Sequence, residues 1–282
     1  MIEVLRTPEQ MRRFREALPP QVPVGFVPTM GYLHAGHLSL IEEARRQVAA
    51  TGRVVVSIFV NPTQFGPNED LDTYPRDEAG DLAKAEAAGA DVALCPDDPA
   101  AMYPSRATWV NVEGLSEGLC GASRPDHFRG VCTVVTKLIS LVRPDVSVFG
   151  QKDFQQLAIV RRMHADLFLP GRIVGMPIVR EADGLAMSSR NARLSSSARA
   201  QALSISRFLQ TVRERFDAGE RRADALVADA ASRLQGGTID YVDVVDAATL
   251  TPVVTVGDAP VLVAIAAHFG GVRLIDNTVL SA

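Results

Sequence analysis

Two histidines three residues apart stand in "PTMGYLHAGH", Pro28 to His37, where an apolar run gives way to a glycine-bearing turn and then to a helical pattern. Neutral imidazoles at that spacing can donate hydrogen bonds to an anion without the fixed charge of lysine. A helix start adds unpaired N–H groups and a partial positive charge, which favours phosphate oxygens. Gly31 and Gly36 let a ligand approach the backbone closely. A nucleoside triphosphate held by its phosphates is the sharp reading. A zinc pair competes, although zincin-type ligation asks for i, i+4 spacing and a third ligand. Two capping or surface histidines are the plain alternative.

Other polar clusters also follow apolar runs. Asn61 and Gln64 come after 53–60, with Tyr74 further on, and "FGQKDFQQ" (149–156) closes another such run. Lysine occurs only at 84, 137 and 152, so Lys152 suggests a compact point charge rather than an arginine fork. Lys84 reads as a solvated surface residue, and His164 and His268 as core or surface histidines.

The elements that must position these groups follow from periodicity. "PVGFVPT" (23–29) reads as a strand and 37–50 as a helix, with Leu38, Ile41, Ala44 and Val48 at helical spacing. "RVVVSIFV" (53–60) is apolar without alternation, as in a strand covered on both faces. A helix over 77–90, a strand at 91–96, a helix from 129 ending before Pro144, a strand at 145–150 and a helix over 153–168 continue the pattern. This alternation predicts an α/β protein with a Rossmann-like doubly wound parallel sheet. Helices over 196–217 and 221–235, then three strand-like runs from 238, predict a smaller α+β C-terminal domain. The boundary is placed near Pro177–Val179, giving domains 1–178 and 179–282.

Composition sets the outer limits. The 282 residues are 47% apolar and 22% charged, as in a soluble globular protein. The net charge of −4 gives no general attraction to nucleic acid. No apolar run approaches the roughly 20 residues of a membrane helix, and "MIEVLRTPEQ" lacks a signal-peptide core. Cys95, Cys120 and Cys132 show no C-x-x-C spacing and read as reduced thiols of a cytoplasmic chain.

Taken together, "PTMGYLHAGH", "FVNPTQF", "DLDTYPR", "RPDHFRGV", "FGQKDFQQ" and "ADGLAMSSRN" resemble the pantothenate synthetase (pantoate–β-alanine ligase) family. His-Ala-Gly-His alone marks only the wider nucleotidyltransferase superfamily, shared with class I aminoacyl-tRNA synthetases. The resemblance implies ATP-dependent condensation of pantoate with β-alanine through pantoyl adenylate. Small-molecule substrates ATP, pantoate and β-alanine, Mg2+ and a homodimer come with it. It assigns ATP to the segment Met30, Gly31, Tyr32, Leu33, His34, Ala35, Gly36 and His37, with His37 as proton donor and His34 beside it. It extends the ATP site to Gly150, Gln151, Lys152 and Asp153, and to Val179, Met187, Ser188, Ser189 and Arg190. Gln64 and Gln156 match the glutamines that hold pantoate, while Asn61, Tyr74, Arg124 and His127 are accessory candidates.

Asp81 matches a carboxylate associated with magnesium, although Gly80 stands where relatives commonly carry a second acid. "MSSRN" resembles the superfamily's mobile K-M-S-K-S loop without its lysines, and the second domain is expected to lay it over ATP. A tRNA synthetase would need further RNA-binding domains. Another HxGH-type nucleotidyltransferase, or a nucleotide sensor, is the remaining alternative.

Overall fold

The computed structural model describes residues 1–67 and 69–281. Its chain runs β1 (Glu3–Leu5), α1 (Pro8–Ala17), β2 (Val24–Thr29), α2 (Ala35–Val48), β3 (Arg53–Ile58), α3 (Glu78–Ala87) and β4 (Val92–Leu94). The short helices α4 (Pro99–Met102) and α5 (Cys120–Ser123) follow, then α6 (His127–Val142), β5 (Val146–Gly150), α7 (Phe154–Asp166) and β6 (Arg172–Met176). Helices α8 (Ser196–Asp217), α9 (Ala223–Val227) and α10 (Ala230–Arg233) precede β7 (Thr238–Asp246), β8 (Val261–Phe269) and β9 (Val272–Leu280).

β1 to β6 form one sheet, order β1-β4-β3-β2-β5-β6, with every pairing parallel. The apolar run of β2 is buried over most of its length because helices cover both faces of such a sheet. From β2 the chain winds outward to β3 and β4, then returns to β5 and β6 on the other side. The winding therefore reverses between β2 and β5. Beyond the carboxyl ends of strands at such a reversal, adjacent loops diverge and leave a crevice for ligands. The loop after β2 carries His34, and β5 ends at Gly150.

The chain divides into two compact units: 1–112, 124–151 and 159–177 form one, and 113–123, 152–158 and 178–282 the other. In the first, Ile41, Ala44 and Val48 of α2 pack with Val27, Val54, Val56 and Val148 of the sheet. In the second, an antiparallel sheet in the order β7-β8-β9 packs Ile265 and Phe269 with Ile205 and Phe208 of α8 and Leu226 of α9. This is the α+β layout expected of the C-terminal part. All three cysteines are free and buried, and burial pushes the Cys95 and Cys132 thiols up to about 12, which keeps them unreactive.

Three features differ from expectation. β1 and β6 were not anticipated: one is three residues long, and the other is an edge strand with no fully buried residue. The helix expected over 221–235 is broken into α9 and α10. Asp229 caps the second piece in a non-helical conformation, with its carboxylate held by Arg215 at 2.7 Å and by Arg233.

α6 meets the 3-10 turn Pro62–Gln64 through Gly130, where an added Cβ would lie 2.4 Å from Thr63 O and 2.8 Å from Gln64 Cα. In a free helix Gly→Ala stabilises by about 1 kcal/mol, but here the clash is with backbone. Gly130→Ala should lower stability by about 1–2 kcal/mol net, seen as a lower denaturation midpoint. An unchanged or raised midpoint would show that the turn yields freely.

Candidate active site

β2 ends in a locked turn. The Thr29 hydroxyl donates to Ser57 O at 2.7 Å and accepts from Gly31 N–H at 3.2 Å. The chain then passes through two left-handed residues, Gly31 (φ 81°) and Tyr32 (φ 52°). The second carries a side chain, and that conformation costs it about 1–2 kcal/mol. Asp81 of α3 meets the turn from the other side. Its Oδ2 accepts from Tyr32 N–H at 2.7 Å and its Oδ1 from Leu33 N–H at 2.6 Å. Lys84, one turn further along α3, donates from Nζ to Leu33 O at 3.1 Å.

The loop delivers His34 as the extended N-cap residue of α2, and His37 as its third helical residue. Their rings lie 4.1 Å apart between centroids and 31° from coplanar. His34 N–H reaches His37 Nδ1 at 3.4 Å. With Nδ1 as acceptor, the neutral His37 ring carries its proton on Nε2; this tautomer is assigned from the hydrogen bond. Nε2–H is then a donor at a helix start, suited to a phosphate oxygen.

The turn after β3 presents the amides. Asn61 is buried and fully engaged. Its Nδ2 donates to Gln64 Oε1 at 3.0 Å and Gly130 O at 3.2 Å, and its Oδ1 accepts from the Thr63 hydroxyl at 2.9 Å and the Tyr103 hydroxyl at 2.8 Å. Gln64 in turn points Nε2 at Met30 Sδ, 3.0 Å away, so Gln64 and Met30 share one corner. Behind it, His127 Nδ1 lies 2.8 Å from Gln64 O and therefore carries the donor proton, while its Nε2 accepts from Arg124 at 3.1 Å. Arg124 also grips Glu69 with two nitrogens, at 2.7 and 2.5 Å. Burial pushes the Glu69 carboxyl up, but the Arg124 hydrogen bond and charge outweigh it and hold it below the usual glutamate range. Tyr74 is buried edge-on against Phe65, 5.8 Å between centroids.

In the second unit, Lys152 and Asp153 sit in a 3-10 turn (Gln151–Asp153) just before α7, their charged groups 3.9 Å apart. Asn277 of β9 holds Lys152 O at 2.9 Å. The adjacent glutamines divide their duties. Gln155 is buried and spent on Cys120 N–H, Leu115 O and Gly118 O, whereas Gln156 is half-buried with no protein hydrogen bond among the described residues. Val179 and Met187 pair across a tight hairpin, Met187 N–H to Val179 O at 3.0 Å. Ser188 caps the 3-10 turn Ser189–Arg193, accepting from Arg190 N–H at 3.3 Å.

Two expectations are corrected. Asp81 was assigned to magnesium, yet it is 1% exposed and each oxygen already takes a backbone N–H. Among the described residues, no three His, Cys, Asp or Glu side chains gather where a metal could be held. The residues present do not fit a protein-bound magnesium. The amides of Tyr32 and Leu33 face Asp81, and the Leu33 side chain lies in the core. Lys84, read as a solvated lysine, belongs to the loop. Asn277 was also missed, although the pair Asp276–Asn277 interrupting the apolar strand "VRLIDNTVL" was a visible signal.

The family model Pantoate-beta-alanine ligase matches residues 3–279. The chain belongs to the pantoate–β-alanine ligase family. The pantothenate synthetase of Anaeromyxobacter dehalogenans is 58% identical over 260 residues, covering 90% of each chain. Pantothenate synthetase from Thermus thermophilus superimposes with TM-score 0.90 at 44% identity, over 98% of this chain and 99% of that one. The Francisella tularensis pantoate–β-alanine ligase, complexed with β-γ ATP and β-alanine, superimposes with TM-score 0.82 at 32% identity, over 99% and 97%. As a pantoate–β-alanine ligase, the chain is an enzyme of pantothenate synthesis that condenses pantoate with β-alanine. Among the described residues no helix is long and apolar enough to cross a membrane.

The Glu69–Arg124 pair has a pH signature. A carboxylate depressed in the fold contributes stability above its unfolded pKa, about 4.3 for glutamate, and loses it as pH falls through the folded value. In thermal denaturation, wild type should keep a constant advantage over Glu69→Gln above about pH 5, shrinking at lower pH. A gap that widens on acidification would contradict the pairing.

Proposed function

We propose that the chain activates pantoate with ATP and then transfers the pantoyl group to β-alanine. In the first half-reaction a pantoate carboxylate oxygen bonds to the α-phosphorus, the bond from that phosphorus to the bridging oxygen breaks, and pyrophosphate leaves with the electron pair. In the second, the β-alanine nitrogen bonds to the acyl carbon and AMP departs with the C–O pair, after the ammonium has given up a proton. Adenylation is needed because a free carboxylate has no adequate leaving group.

The observation that carries the reading is the His34–His37 pair at the start of α2, beside the winding reversal, with His37 Nε2–H as a donor. His37 is proposed to donate to the phosphates as charge builds on them, with His34 and Lys152 assisting. Preorganised donors of this kind act mainly on the transition state. Met30, Gly31, Ala35 and Gly36 would border the nucleotide, as would Gly150, Gln151, Asp153, Val179, Met187, Ser188, Ser189 and Arg190. Gln64 and Gln156 would hold pantoate by its hydroxyls. Neutral amides suit this task, since an arginine clamp on the carboxylate would stabilise the ground state of the attacking group. Magnesium would enter on the phosphates of ATP, as part of that substrate. A cytoplasmic homodimer is the proposed assembly, supported by the family resemblance.

A plain nucleotidyltransferase would release its nucleotidylated product whether or not β-alanine is present. Mixing enzyme with ATP and pantoate should give about one equivalent of pyrophosphate per site, and steady AMP and pantothenate formation only once β-alanine is added. His37→Ala should slow the pyrophosphate step by roughly 10²-fold or more. Turnover indifferent to β-alanine, or an undiminished His37→Ala rate, would defeat the proposal.

A further inference from the structure

The geometry points to Asp81 and Lys84 of α3 as a two-point clamp on the peptide groups of residues 31–33: positioning residues that set the pose of His34 and His37. Asp81 acts here in place of any role as a magnesium ligand. The inference deepens the proposed adenylation chemistry and rests on that reading for its kinetic consequence.

Four observations converge. First, Asp81 and Lys84 are three apart on one helix face and seize opposite ends of the same segment. The carboxylate takes the N–H groups of Tyr32 and Leu33, and the ammonium takes the C=O of Leu33. The backbone of Leu33 is thus fixed at both its N–H and its C=O, immediately before the histidine that caps α2.

Second, the consecutive N–H groups of Tyr32 and Leu33 converge on one point, as in a turn that makes a small anion site. Here that site is filled by the protein's own carboxylate, so those amides are not available to a phosphate. Phosphate recognition passes one step along the chain, to the imidazoles and the first turn of α2.

Third, the fit is tight. A Cβ at Gly31 would lie 2.9 Å from Asp81 Oδ2 and 3.0 Å from Ile58 Cγ2. Glycine is therefore needed both for its φ and for the approach of the carboxylate. Burial pushes the Asp81 carboxyl up from the ordinary aspartate range, with its two backbone hydrogen bonds and Lys84 opposing that rise.

Fourth, position 80, next to Asp81, carries glycine rather than an acid. Asp77 caps α3 by accepting from Gly80 N–H at 3.1 Å, and a Cβ at Gly80 would sit 2.1 Å from Asp77 Oδ2. Gly80 leaves room for the cap carboxylate to fold over the helix end. The Asp77 cap secures the helix that carries the clamp.

The consequence for catalysis comes from distance sensitivity. The first peptide after the clamp carries His34, whose N–H sets the tautomer of His37. Releasing one amide lets the left-handed turn relax, and both rings move with it. A misplacement of about 1 Å at a reacting group can cost up to 10²-fold in rate.

The test uses Asp81→Asn and Lys84→Met, with Lys84→Arg as the conservative rescue. Asparagine keeps one acceptor but sets an NH2 group against a backbone N–H. Single-turnover pyrophosphate release should fall roughly 10–100-fold in Asp81→Asn, with the pantoate KM little changed. Lys84→Met should fall less and Lys84→Arg should recover. The magnesium concentration giving half-maximal rate should stay within about twofold of wild type in all three; a liganding carboxylate would instead raise it about tenfold or more in Asp81→Asn. Independently of turnover, the imidazole resonances of His34 and His37 in 15N-labelled, nucleotide-free protein should shift in Asp81→Asn and Lys84→Met, while those of His164 and His268 stay in place. Unmoved His34 and His37 signals, or a magnesium requirement raised selectively in Asp81→Asn, would overturn the clamp. Should wild type fail to release pyrophosphate, the functional reading falls, and the resonances still decide the clamp. Should Asp81→Asn not fold, the Lys84 pair decides it by the same readouts.

Discussion

A turn of left-handed backbone at the end of β2 is the point on which the active-site corner depends. Such a turn costs conformational energy at Tyr32 and exposes two donors toward the protein interior. A buried carboxylate from a helix 48 residues away answers both donors at once. The next elements of the chain inherit their position from that bond pair: the N-cap conformation of His34, the first turn of α2, and the facing imidazoles. The sheet supplies the place, through the reversal of winding between β2 and β5, and the α3 side chains supply the detail.

Within each unit, the polar groups sort by how many hydrogen bonds the protein has already claimed. Asn61 and Gln155 are buried and saturated, and they act as braces for the turns that carry Gln64 and Lys152. Gln156 retains unused capacity. A buried amide left unmatched is costly, so saturation marks a structural duty, whereas spare capacity near a strand end marks room for a substrate. Arg124 is consumed by Glu69 and His127, fixing the Gln64 turn from behind. In the proposed reading, the neutral amide of Gln64 is left for the acid that must attack.

Much of this could be read from the chain alone. The runs in β2, β3 and β5 are apolar enough to identify a sheet covered on both faces, and His34, His37, Gln64 and Lys152 each occur in a recognisable cluster at a strand end. β1 and β6 escaped because a three-residue strand and a half-exposed edge strand leave little periodic signal. The break between α9 and α10 depends on where the Asp229 carboxylate finds its arginines, which is a tertiary matter. Asp81 and Lys84 were visible as residues but their partners were not. A carboxylate at a helix start reads the same whether it faces water, metal or a distant backbone N–H, and only the fold brings residues 32 and 33 to it. Asn277 lay closer to detection, since two buried polar residues in an otherwise apolar strand call for a partner.

The central claim is that the histidine pair beyond β2 is where the triphosphate of the activating nucleotide is held, and it is most directly tested by a structure of this protein with ATP bound. The account predicts His37 Nε2 within about 3 Å of an oxygen on the phosphates, with Asp81 still bonded to the amides of Tyr32 and Leu33. A triphosphate seated away from His34 and His37, or a metal ion drawn onto the Asp81 carboxylate with those amides released, would contradict it.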